Sequence, residues 1–99
     1  MKQANLDQIR ATIHRHSAFL RRAYNVEKIG VFGSVAIGQN TEASDIDVLV
    51  DLSKPIGFFK FIELEEFLSK VLGKNVDLVT QKALKPTIKE DILRELIYV

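Results

Sequence analysis

Three aspartates lie within short apolar segments, which is unusual for this residue type. Asp45 and Asp47 belong to the run Asp-Ile-Asp-Val-Leu-Val, and Asp77 belongs to the run Val-Asp-Leu-Val. Because side chains alternate across a strand, Asp45 and Asp47 are expected on one face. Close carboxylates repel each other unless a cation neutralises them, and Mg²⁺ prefers oxygen ligands together with substrate phosphates. Asp77 would complete a two-metal site if its strand lies beside that of Asp47.

Each aspartate also has an ordinary structural explanation. Asp45 can cap a turn after Ser44, Asp47 can face solvent, and Asp77 can be the polar half of an alternating edge strand. Aspartate is disfavoured within strands, so three in apolar strands, two of them spaced i and i+2, favour a functional site.

The pair Gly33-Ser34 follows the apolar run Ile-Gly-Val-Phe. Glycine permits a positive φ and a close approach of the backbone to a ligand. The Ser34 hydroxyl and the following N–H groups can hold phosphate oxygens at the N-terminus of a short helix. A Gly-Ser pair alone is only a turn, so this interpretation depends on the aspartates.

Apolar periodicity predicts the elements that must position these residues. The first is a helix from Leu6 to Tyr24, with Asn5 as its N-cap and Asn25 as its stop. It is followed by a strand at 29–32, a loop at 33–44 with one helical turn, a strand at 45–50, a helix at 58–72 that ends at Gly73, and a strand at 76–79. The last helix starts at a Thr87–Glu90 capping box and extends through Ile97. This order predicts an α/β (α+β) fold with a small mixed three-stranded sheet flanked by helices.

Composition narrows the class of protein. The 99 residues suit one compact domain spanning 1–99, and 46% hydrophobic residues indicate a folded chain. A net charge of +1 gives no electrostatic reason to expect nucleic acid or a membrane surface as partner. Without cysteines or a long apolar run, a cytoplasmic location is expected.

The stretch from Gly33 to Val50 resembles the signature of the DNA polymerase β-like nucleotidyltransferase superfamily. That signature is Gly-Ser, about ten residues, and then Asp-X-Asp within a strand. The chain resembles more closely the minimal nucleotidyltransferase (MNT) family of bacteria and archaea, with further likeness at residues 76–80, 83–86 and 92–95. The resemblance implies the nucleotidyltransferase fold.

The resemblance also implies roles for individual residues. Gly33 and Ser34 would bind the triphosphate, and Asp45, Asp47 and Asp77 would hold Mg²⁺, two ions being expected. Asp77 would in addition help to deprotonate the acceptor hydroxyl. The implied reaction is attack on the α-phosphorus of ATP with release of pyrophosphate, promoted by positioning and charge neutralisation.

Relatives of this size imply a protein partner, because the chain has no room for an acceptor-binding domain. MNT proteins are typically paired with a helical HEPN-type RNase toxin, which they neutralise as antitoxins by adenylylating a tyrosine. A small-molecule transferase is disfavoured by the missing acceptor domain, and a polymerase by the neutral charge.

One departure from the family pattern leaves a second hypothesis open. The family run is Gly-Ser-X-Ala-Arg-Gly, and Ile37 stands at the arginine position. Isoleucine makes no charge-assisted phosphate contacts, so a weakly active or inactive module that masks its partner by binding alone is the alternative. The intact aspartates favour the enzyme.

The helix at 58–72 carries more aromatic residues than one buried stripe needs. Phe61 and Phe67 are expected in the core. Phe59, which precedes Lys60, is the better candidate for a partner interface.

Overall fold

The computed structural model describes residues 5–99. Its elements in chain order are α1 (Leu6–Arg15), α2 (Ser17–Tyr24), β1 (Val26–Phe32), α3 (Gly33–Ala36), β2 (Ile46–Leu52), α4 (Phe58–Leu72), β3 (Val76–Thr80), a 3-10 turn (Gln81–Ala83), α5 (Pro86–Glu95) and β4 (Ile97–Tyr98).

The sheet has the strand order β3-β2-β1-β4. Strand β1 pairs antiparallel with both β2 and β4, whereas β2 and β3 are parallel. A parallel pair needs a long crossover connection, and α4 supplies it. The prediction of a mixed sheet flanked by helices is therefore confirmed, but the predicted number of three strands is wrong within the described residues.

The missing strand is β4, which pairs Tyr98 with Gly30 and Ile97 with Val31. The last helix ends at Glu95, so Ile97 lies in a strand and not in the helix that its periodicity suggested. Two residues are too short for strand alternation to be visible in the sequence. Pairing with β1 decides their conformation.

The core lies between one face of the sheet and α1, α2 and α4. Ile46, Val48 and Val50 alternate along β2 and are fully buried on that face, together with Leu64 and Leu68 of α4. Phe61 and Phe67 of α4 pack against this core, as predicted. Burial of these side chains is the main force that holds β2 in register.

Helix ends agree with the sequence signals in three places. The side chain of Asn5 accepts the N–H groups of Asp7 and Gln8, which makes it the N-cap of α1. Asn25 and Gly73 end α2 and α4 in left-handed conformations, with φ of 59° and 72°. These are local signals, and they do not depend on the rest of the fold.

Two further predicted helix boundaries are wrong. The predicted helix from Leu6 to Tyr24 is broken at His16, whose φ of −105° and ψ of 8° separate α1 from α2. The last helix starts at Pro86, and Thr87 is not its N-cap. Proline suits the first helical turn because its φ is already helical and its missing N–H would have no intrahelical partner there. No helix within residues 5–99 is long and apolar enough to span a membrane.

Candidate active site

The site lies where β2 begins and β1 ends. Asp47, the second residue of β2, is paired with Phe32 of β1 on one side and with Asp77 of β3 on the other. Because β2 and β3 are parallel and in this register, the two aspartates occupy equivalent places on neighbouring strands. The adjacency of Asp47 and Asp77, which the sequence left conditional on strand order, is therefore present.

Asp45 lies one residue before β2, and not within the strand as predicted. Its side chain is exposed, whereas that of Asp47 is half-buried. The N–H of Ile46 donates to the carbonyl of Asn75 at 3.0 Å, which ties the start of β2 to the segment before β3. Asp45 remains close enough to Asp47 to act on its titration. The structure thus places Asp45 and Asp77 near Asp47.

Strand β1 ends at Phe32, and Gly33 begins the single turn of α3. Its φ of +72° lies in the left-handed region that favours glycine. A Cβ placed on Gly33 would overlap the carboxylate oxygen Oδ2 of Asp47. A glycine is therefore required at position 33 for two reasons: the backbone has a positive φ, and the turn lies close to Asp47. Ser34, half-buried, follows in the first turn of α3.

The site concentrates negative charge. Burial raises the pKa of Asp47 above its ordinary value, and the nearby carboxylates of Asp77, Asp45 and Glu95 raise it further. Like charges held this close disfavour ionisation, and a bound cation would relieve that cost. The donors are all oxygens, which is the chemistry that Mg²⁺ prefers.

These donors do not already form a finished metal centre. Within residues 5–99, no three His, Cys, Asp or Glu side chains are arranged as a group that could hold a metal ion. The assignment of Mg²⁺ to Asp45, Asp47 and Asp77 therefore stays a prediction, supported by the donor chemistry and by the mutual repulsion at Asp47.

One residue of the site was not singled out from the sequence. Glu95, the last residue of α5, accepts the N–H of Gly33 through Oε1 at 3.2 Å. It comes from 62 residues along the chain, and only the tertiary fold brings it to the turn. The sequence marked residues 92–95 only as a stretch of family likeness and gave Glu95 no role.

Ile37 ends α3 and is 49% exposed, close to the Gly33-Ser34 turn. An isoleucine this exposed contributes little to the core, so its position is compatible with a longer polar side chain. The departure from the family pattern therefore has no packing reason in this structure.

Taken together, the Gly-Ser turn and the aspartates on adjacent parallel strands define a nucleotidyltransferase. Residues 13–99 match the Nucleotidyltransferase domain family, and the chain belongs to that family. The family resemblance found in the sequence is thereby confirmed.

Individual relatives and solved structures refine the comparison. It is 43% identical over 99 residues to the protein adenylyltransferase MntA of Thermococcus cleftensis, with all of both chains covered. A solved minimal nucleotidyltransferase superposes with a TM-score of 0.79 at 33% identity, over 94% of each chain. An MNT antitoxin in complex with the tri-AMPylated HEPN toxin of Shewanella oneidensis shares the fold, with a TM-score of 0.66 and 20% identity over 91% of this chain and 70% of the other.

Proposed function

We propose that this protein is an antitoxin that transfers AMP from ATP to a hydroxyl, a tyrosine being expected, of a cognate HEPN-type toxin. The observation that carries the proposal is the meeting of Asp47 and Asp77 beside the glycine turn at Gly33. The Thermococcus relative, similar over its whole length, is named a protein adenylyltransferase, which supports a protein acceptor. Residues 1–99 would form one catalytic domain.

Different residues of the chain would have different roles in adenylyl transfer. Gly33 lets the turn approach the aspartates, and the Ser34 hydroxyl with the following N–H groups of α3 would hold oxygens of the triphosphate. Asp45, Asp47 and Asp77 would hold Mg²⁺, which when bound supplies charge neutralisation at the phosphates and at the attacking hydroxyl. Asp77, exposed at the edge strand, would accept the proton of that hydroxyl.

The acceptor would reach the site from outside the chain. Asp45 and Asp77 are both exposed, so a hydroxyl presented by a second protein has access to them. Phe58 and Phe59 at the start of α4 are 71% and 85% exposed, and their rings contact each other at a centroid distance of 5.6 Å. Exposed aromatic residues of this kind are frequent in interface hot spots, and Phe59 is our candidate for the toxin contact. No direct nucleic-acid partner is proposed.

The test uses ATP labelled at its α-phosphate, with magnesium and the native lysate or the co-purified partner. Wild-type protein is expected to label one small protein, whereas Asp45→Asn should not. Tyrosine is then identified in the labelled protein by mass spectrometry. Failure of the wild-type protein to label any acceptor, with nucleotide and partner both present, contradicts the proposal.

The second candidate is a module that masks its partner without catalysis. The exposed Ile37 favours it, because no guanidinium stands at that position of the turn. Metal dependence separates the two candidates. Masking survives chelation and the change Asp45→Asn, whereas adenylyl transfer does not survive either of them.

A further inference from the structure

Residues 97–99 pair with β1, and the side chain of Leu96 lies against Gly30. Strand β4 pairs with Gly30 and Val31, and the N–H of Val99 donates to the carbonyl of Ile29 at 2.9 Å. A Cβ on Gly30 would lie 2.6 Å from Cδ1 of Leu96, so the absence of a side chain at Gly30 makes room for Leu96. The backbone next to Glu95 is therefore held in place.

These contacts place the carboxylate of Glu95 beside the Gly33-Ser34 turn, which is proposed to bind the nucleotide. Gly33 begins α3, and the first N–H groups of a helix have no partner within it. Glu95 Oε1 accepts this N–H at 3.2 Å. A bond to a charged acceptor is stronger than one between neutral groups. The hydrogen bond from Gly33 to Glu95 restrains the backbone of Gly33. Without a side chain, this residue could adopt several conformations other than the one with a φ of +72°.

We propose that Glu95 is a positioning residue that holds the Gly33-Ser34 turn in the conformation that receives the triphosphate, and that it thereby connects the end of the chain to the active site. The inference rests on the proposed function, since it concerns the turn assigned to nucleotide binding. Glu95 acts through the Gly33 N–H and not as a metal ligand.

A different role for the same contact makes opposite predictions. If the Glu95 carboxylate merely occupied the turn until phosphate displaced it, removing its charge would tighten nucleotide binding. The pairing of residues 97–99 with β1 holds the backbone next to Glu95 and argues for a permanent support. The two roles are separated by variants that change the charge and the reach of the side chain independently.

The variants are Glu95→Gln, Glu95→Asp and Glu95→Ala, with Glu90→Ala as the matched control. Gln keeps an acceptor oxygen at the same reach without the charge, and Asp keeps the charge but is one methylene shorter. Glu90 is an exposed glutamate of the same helix. Two properties are measured: hydrogen exchange of the Gly33 amide by NMR in protein without nucleotide, and affinity for a non-hydrolysable ATP analogue by calorimetry.

Positioning predicts that Glu95→Ala and Glu95→Asp speed the exchange of the Gly33 amide and weaken analogue binding about tenfold, as expected for loss of a charged hydrogen bond. Glu95→Gln should stay within about threefold of wild type, because a neutral acceptor retains most of the contact. Glu90→Ala should match wild type in both measurements.

Tighter binding by Glu95→Gln and Glu95→Ala, or unchanged Gly33 exchange in Glu95→Ala and Glu95→Asp, overturns the inference. If wild-type protein does not bind the analogue, the proposed function fails. The Gly33 exchange data still decide whether Glu95 holds the turn.

Discussion

Asp47 and Asp51 are the same residue type on the same strand, four positions apart and therefore on the same face of β2. Both are half-buried. Asp47 faces Asp77 across the sheet, lies against Gly33, and has further carboxylates nearby. Asp51 lies opposite Lys28 of β1, near the other end of the strand.

The difference shows that the neighbours of an aspartate, and not its strand or burial, distinguish a candidate catalytic group from a structural one. At Asp51 the residue paired across the sheet is a lysine. At Asp47 the fold gathers like charges and adds a backbone turn that can hold anions. Such an arrangement destabilises the unliganded protein, and it is retained most readily where a ligand compensates.

The largest expected effect comes from exchanging the two carboxylates for amides. Asp47→Asn should lower adenylyl transfer about a hundredfold or more, the scale seen when one preorganised electrostatic contact to the reacting groups is removed. Asp51→Asn should retain activity within about twofold, because Asp51 lies near the other end of β2, away from the candidate site. Initial rates with α-labelled ATP measure both. Equal losses would show that the two ends of β2 are not functionally distinct.

Two glycines with the same positive φ provide the next comparison. Gly33 and Gly73 both have a φ of 72°, but a Cβ on Gly73 meets nothing within 4 Å, whereas one on Gly33 overlaps Asp47. Alanine at either position should cost about 1–2 kcal/mol for the positive φ, and Gly33→Ala should cost more because its Cβ meets the Asp47 carboxylate. Only Gly33→Ala should also reduce transfer, by about tenfold or more, since it displaces the Asp47 carboxylate. Thermal unfolding and transfer rates are measured together. Full activity of the Gly33→Ala protein would contradict the assignment of nucleotide binding to the Gly33-Ser34 turn.

The family pattern has an arginine where this chain has Ile37, and restoring a cation beside the Gly33-Ser34 turn tests the effect of that difference. Ile37→Arg should tighten binding of an ATP analogue about fivefold, because a guanidinium forms charge-assisted hydrogen bonds with phosphate. Ile88→Arg is the control, since Ile88 is 48% exposed, like Ile37 at 49%, and lies near the start of α5. Calorimetry gives both affinities. The same gain from both variants would mean that net charge, and not position, is responsible.

The smallest effect concerns stability. The raised pKa of Asp47 means that the folded protein retains this proton at a higher pH than the unfolded chain does. Its stabilising contribution is therefore present below the ordinary value of 3.8 and is lost as the pH rises through the folded-state pKa. In metal-free buffer at neutral pH, Asp47→Asn should unfold at a higher temperature than wild type, by an amount on the order of a few degrees.

That difference should shrink when the pH is lowered below 3.8, where Asp47 is protonated in both states. Calorimetric scans across the acidic range measure it, with Asp51→Asn as the reference. A lower unfolding temperature for Asp47→Asn at neutral pH would show that Asp47 is a stabilising residue and not one that the fold tolerates for function.

Much of the fold was predictable because its signals are local. Apolar periodicity placed α4 over the residues where the structure has it, and Asn25 and Gly73 marked helix ends through their tolerance of positive φ. The break at His16 and the start of α5 at Pro86 were missed. At Pro86, two local signals competed, and the fixed φ of proline prevailed over the Thr87 capping box.

The candidate site divides in the same way. Residue type and spacing along one segment predicted Gly33, Ser34, Asp45 and Asp47 as candidates, because strand alternation and glycine conformation are properties of the local chain. The pairing of Asp77 with Asp47, the strand β4 and the contact from Glu95 to Gly33 were decided only by the tertiary structure. Each joins segments that are distant in sequence, and such contacts depend on strand order and register, which are set by burial of the whole core.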